Sequence, residues 1–160
     1  MSKIRKLVAM SPRGWWRLAD AYRLLWRARG YRDDRLDEVS RLVKPATARQ
    51  GPASALSDQQ RRVIWHGVHV VDMAARHPVA WASCLRRSLA LVWWLEARGI
   101  DARLRIGARK EASSLVAHAW VEYDGIVLND RQTVPAIYSP LVLAAGRSGP
   151  VRWGSPAGAP

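Results

Sequence analysis

Apolar residues recur at helical spacing over residues 14–29, where Trp15, Leu18, Tyr22, Leu25 and Trp26 fall on one stripe. Arg17, Asp20, Arg23 and Arg27 fill the other faces, and Gly30 is a natural C-terminal stop. A shorter helix is expected from Asp33 to Val43, with acids in its first turn and Lys44 at its end. Residues 45–55, rich in Pro, Ala and Gly, read as a loop or linker. The next helix opens on Ser57-Asp58-Gln59-Gln60, a capping box in which the Ser57 hydroxyl accepts from the Gln60 amide and the Gln60 side chain reaches back. Ile64, Val68, Val71 and Ala75 form its buried stripe, and His77-Pro78 ends it because proline pushes the preceding residue out of helical geometry. Residues 84–98 make the most apolar helix, with Leu85, Leu89, Leu91, Val92 and Leu95 inside, Ser83 as N-cap and Gly99 beyond the end.

After Gly99 the period changes to two. Ile100, Ala102, Leu104 and Ile106 alternate with Asp101, Arg103 and Arg105, as in a half-buried strand. Val116–Glu122 and Ile126–Asp130 are two further strands around Tyr123-Asp124-Gly125. The Gly/Pro/Ser-rich segment 146–160 is expected to be loose. The pattern gives a helical N-terminal segment and linker over 1–55, a domain of helices followed by strands over 56–145 and a tail over 146–160.

Composition narrows the class. The chain has 160 residues, 49% of them hydrophobic, which is enough for one packed core. Lys and Arg total 26 against 13 acidic residues, a formal charge of +13 that favours an acidic partner. All but 4 of these basic residues are Arg, and they are spread along the chain, so charge alone names no partner. Cys84 is the 1 cysteine, which excludes an intrachain disulfide framework and any zinc site built on several thiolates. The N-terminal apolar run Leu7–Met10 is shorter than the roughly 7–15 residues of a signal peptide. No stretch approaches the ~18 apolar residues of a membrane span, so a soluble, cytoplasmic protein is expected. His66 and His69 lie on one helix without an HExxH arrangement, so neither a metal nor another cofactor is expected.

Cys84, His118 and Asp130 carry the candidate chemistry. A thiol at a helix start meets the positive end of the helix dipole, which favours thiolate. Arg86 and Arg87 add positive potential in the same turn. A histidine within reach accepts the thiol proton, and an aspartate on its far nitrogen fixes the tautomer. Two hairpin registers are open. A two-residue Asp124-Gly125 turn pairs Tyr123 with Ile126 and puts Asp130 on the face opposite His118. A three-residue loop pairs Glu122 with Ile126 and sets His118 across from Asp130, about 5 Å apart between β-carbons. The triad is expected to require the second.

The runs Cys84-Leu-Arg-Arg-Ser-Leu89, Leu104-Arg-Ile-Gly107, Ala117-His-Ala-Trp-Val-Glu122 and Leu128-Asn-Asp130 resemble the transglutaminase-like cysteine peptidase of lasso-peptide biosynthesis. The resemblance covers roughly residues 60–135. It implies an α+β, papain-related fold: a central helix carrying Cys84 packed on a small antiparallel sheet carrying His118 and Asp130. It also implies removal of the leader from a ribosomally made precursor, often at a site preceded two residues earlier by threonine. A leader-recognition protein delivers the substrate, and an ATP-dependent cyclase joins the freed amine to an acidic side chain. Residues 1–55 show no recognition domain, which makes this chain resemble the stand-alone C-terminal half of the split B protein. Where papain-like enzymes carry an oxyanion-donating glutamine, six residues before the cysteine, this sequence has Pro78.

Trp81, Arg86 and Arg87 are the candidate substrate-binding residues, Trp81 because it lies one helical turn before Cys84. Residues 1–55, with Trp15, Trp16 and Trp26, are expected to dock the recognition protein or cyclase. Two other functions fit parts of the sequence. The same triad passing its acyl group to an amine makes an acyltransferase. A basic nucleic-acid binder fits the charge, but the chain carries no zinc-finger, RRM or basic-zipper signature.

Overall fold

A computed structural model describes residues 12–31, 56–76, 82–112, 114–140 and 152–153. Helix α1 spans Pro12–Ala28, α2 Asp58–Ala75 and α3 Cys84–Glu96. The helix expected over 33–43 and the linker 45–55 lie outside the described residues.

Each helix follows from its sequence signals. In α1 the buried positions are Leu18, Ala21, Leu24, Leu25 and Ala28, a stripe at the helical repeat. Trp15, Trp16 and Trp26 face outward instead, so the stripe expected to include Trp15 and Trp26 is rotated onto smaller side chains. Helix α2 begins with the full capping box: Gln60 N donates to Ser57 Oγ at 3.2 Å, and Ser57 N donates to Gln60 Oε1 at 3.0 Å. Helix α3 starts on Ser83, whose Oγ accepts from Arg86 N at 3.4 Å. It ends where Gly99, at φ +75°, lets Ile100 N reach back to Leu95 O at 3.0 Å. Leu85, Leu89, Leu91, Trp94 and Leu95 bury α3 nearly all round, with α1 and α2 packed on it and β2 beneath. Helix α1 thus shares the main core with α2 and α3.

Strands β1 (Arg103–Glu111) and β2 (Ser114–Tyr123) pair antiparallel along their whole length. The alternation from Ile100 to Ile106 is buried as expected, though the ladder starts at Arg103 and runs on to Glu111. Strand β3 is only Ile126–Val127, a short turn of helix α4 covers Val134–Ile137, and β4 is Ser139–Pro140. The sheet order is β3-β2-β1-β4. Strand β5, Arg152–Trp153, pairs parallel with Val116 and Ala117 of β2, so part of the segment expected to be loose joins the sheet. The result is an α+β fold with the three long helices on one side of a small, mainly antiparallel sheet. Ala119 and Val121 of β2 face the main core, while Trp120 packs with Val127, Val134 and Tyr138 in a second, smaller cluster. No described helix is long and apolar enough to cross a membrane.

Candidate active site

Cys84 is the first residue of α3, with a free thiol that is 4% exposed. The capped start of a rigid, buried helix fixes it in place. Backbone N–H groups in the first turn lack helical partners, so the local field favours negative charge.

His118 lies in the middle of β2, 2% exposed. Its Nε2–H donates to Asp130 Oδ2 at 2.6 Å. The hairpin that brings them together does not use the expected register. Asp124 and Gly125 form a two-residue turn with φ of +45° and +80°, the paired positive values of a type I′ turn. Tyr123 pairs with Ile126 and Glu122 with Val127. In that register a continued strand would carry Asp130 away from His118. The strand does not continue. Leu128 N still donates to Val121 O at 2.9 Å, but Val121 N donates instead to the Asn129 side-chain Oδ1 at 2.8 Å. Asn129 replaces a backbone carbonyl in the ladder, the chain bends over 128–130, and Asp130 turns onto His118. The Asn129 Nδ2 donates to Ser88 Oγ at 2.9 Å, and Ser88 Oγ donates to Ala119 O at 3.1 Å, which ties the bend to α3.

The electrostatics follow from this geometry. Burial pulls His118 toward the neutral form, but the hydrogen bonds and negative charges of Asp130 and Cys84 outweigh it and raise its pKa to about 9. Burial likewise raises Asp130, yet the His118 hydrogen bond, the Arg131 N–H at 2.7 Å and the His118 and Arg87 charges bring it below its ordinary value. With Nε2 given to Asp130, the buried Nδ1 is the nitrogen left for the Cys84 thiol. The arrangement is competent for transfer of the thiol proton to Nδ1 and attack by the resulting thiolate.

Cys84, His118 and Asp130 all line one cleft of about 700 Å³. It opens beside the stretch of β2 between the parts paired with β3 and β5. Arg87 also lines it, held at 2.6 Å by Asp72 of α2, which pairs with Arg76 at 2.8 Å as well. Arg86 does not line it; its Nε is buried without a partner. Trp81 and Pro78 lie outside the described residues. His69 borders the cleft, while His66 meets Arg17 of α1 at 3.1 Å. Among the described residues no three His, Cys, Asp or Glu side chains gather as a metal site. Sequence reasoning missed Trp65, exposed on the cleft wall, and the Ser88–Asn129 link. Ser88 carried a usable signal, since it lies one turn after Cys84 as a polar residue in an apolar helix.

The family model for the transglutaminase-like superfamily matches residues 16–143. The chain belongs to that superfamily. No significant match is found among curated proteins or among solved structures. The transglutaminase-like match begins inside α1 and runs past β4, so it takes in all three long helices and the cleft. Members of the superfamily are typically cysteine-dependent enzymes, and cysteine-based acyl chemistry, as peptidase or acyltransferase, is the activity this membership supports.

Proposed function

We propose that this transglutaminase-like protein is a cysteine peptidase that removes the leader from a ribosomally made lasso-peptide precursor. The observation that carries the catalytic part is the 2.6 Å His118–Asp130 bond beside Cys84 in one cleft. His118 takes the Cys84 proton at Nδ1, and the thiolate attacks the scissile carbonyl. The imidazolium then protonates the departing amine, leaving an acyl thioester on Cys84. His118 next removes a proton from water, whose attack releases the acid and restores the thiol. Asp130 holds the ring and stabilises its charged form, and Arg87 at the cleft edge binds substrate.

The lasso-peptide context rests on the sequence resemblance of the runs around Cys84 and His118. On this reading the chain works in the cytoplasm with a separate leader-recognition protein and an ATP-dependent cyclase, and the outward Trp15, Trp16 and Trp26 of α1 dock one of them.

The test is mass spectrometry of a lasso precursor incubated with the chain and its recognition protein. Cleavage after the leader with gain of one water, abolished in Cys84→Ala, supports the peptidase. Gain of an amine in place of water supports acyl transfer, and an unchanged precursor overturns both.

A further inference from the structure

We propose that Tyr138 is a positioning residue that holds the charged form of His118 under its ring, and that Gly107 is the opening that admits it. This deepens the reading of His118 as base and acid, and rests on it.

Three buried rings meet at this point. The Tyr138 centroid lies 5.0 Å from that of His118 at an interplanar angle of 31°. Trp120 lies 6.2 Å from His118 and 6.5 Å from Tyr138, so the three rings form a compact triangle. A cation within about 6 Å of an aromatic centroid is attracted by the ring quadrupole, and more strongly where water is excluded. Tyr138 meets that distance and is 8% exposed, against 3% for Trp120. An imidazolium that forms during the reaction is stabilised there, and neutral imidazole gains much less.

Gly107 explains how the rings fit. It is the residue directly across from His118 in the β1–β2 ladder, and it pairs with Pro140 on its other side. A β-carbon at position 107 would stand 2.8 Å from Tyr138 Cβ, 2.9 Å from Trp120 Cη2 and 3.0 Å from Ser139 O. Any side chain there displaces both rings or β4. The glycine of the Leu104–Gly107 run is thereby accounted for by close approach.

The charged groups around the ring come from several elements. Cys84 of α3 and Asp130 after β3 act on His118 directly, and Arg87 of α3, paired with Asp72 of α2, acts on Asp130. Arg109 of β1 lies 5.5 Å over Tyr138, and Glu122 of β2 is held by Trp120 Nε1 at 2.8 Å and by Arg105 at 2.9 Å.

The experiment is an NMR titration of the His118 ring in the full chain, with phenylalanine and successively fluorinated phenylalanines placed at position 138. Fluorination drains the ring face while keeping its shape, so folding is preserved. The enclosure predicts that Tyr138→Phe leaves the midpoint in place and that each added fluorine lowers it, by roughly half a unit to one unit across the series. Gly107→Ala lowers it too where that variant folds. A flat fluorination series overturns the proposal. A graded series in a chain that cleaves no peptide keeps the enclosure and defeats the peptidase reading; cleavage with a flat series does the reverse.

Discussion

Ser88 and Asn129 share a 2.9 Å hydrogen bond that joins the helix carrying Cys84 to the bend carrying Asp130. Ser88 is fully buried, and its hydroxyl hydrogen goes to Ala119 O on the strand that carries His118. One side-chain pair therefore links the three segments that supply the three candidate catalytic groups. Removing either partner strands buried polar atoms. Ser88→Ala and Asn129→Ala should each cost about 1–3 kcal/mol in urea unfolding. Asn129→Ala should also let Asp130 leave His118, seen as a lowered His118 midpoint by NMR.

The His118 pKa near 9 has two supports, Asp130 and Cys84, working against burial. Asp130→Asn and Cys84→Ala should each lower the midpoint, and the double variant should lower it furthest, because both polar supports are then gone and only the Tyr138 ring opposes burial. Cys84→Ala also isolates the linkage to stability. A histidine raised on folding contributes stability that is complete below its unfolded pKa and lost as pH rises through the folded one. Unfolding free energy in that variant should fall between those two values with a slope of up to about 1.4 kcal/mol per pH unit. A slope of the opposite sign would refute the raised His118.

Cys84 is the sole thiol, so iodoacetamide reports on it without competition. At neutral pH His118→Ala should slow alkylation by roughly tenfold or more, because no imidazole is then there to take the thiol proton. Equal rates in the two proteins would remove the thiol–imidazole pair from the mechanism. In peptide cleavage the same substitution should cost about 10²–10⁴ in rate.

The two faces of α1 should respond differently. Leu25, buried in the main core, should cost about 2–5 kcal/mol when changed to Ala. Trp16 and Trp26, at 79% and 68% exposure, should change stability by less than about 0.5 kcal/mol each as Trp16→Gln and Trp26→Gln. If α1 docks a partner, those variants should lose partner-dependent cleavage while the isolated chain unfolds unchanged. Deleting α1 is no test of docking, because its inner face belongs to the core.

Much of the fold was legible in local patterns. The Ser57 capping box, the Ser83 start of α3, the Gly99 stop and the alternation from Ile100 to Ile106 all depend on residues within a turn or two of each other. Local hydrogen bonding and the helix and strand periods decide such features, and both are written in adjacent residues. The choice of Cys84, His118 and Asp130 as candidates came from the same level, through residue type, order and resemblance.

What the sequence left open depended on contacts between distant segments. Both hairpin registers satisfied the local chemistry, and the two-residue turn prevailed although it seemed to part His118 from Asp130. Their meeting needs Asn129 to take over one ladder bond, which in turn needs Ser88 from a helix 41 residues earlier. The same applies to Trp15 and Trp26, which share a helical stripe but were excluded from the core by the smaller Leu18, Leu25 and Ala28. Tyr138 over His118, admitted by Gly107, is likewise a three-segment contact. Sequence by itself determined the three long helices and the alternation leading into β1, and it singled out the candidate reactive groups, because their causes are local. Tertiary structure decided how those groups meet, because a buried polar atom takes whichever partner the packed chain brings to it.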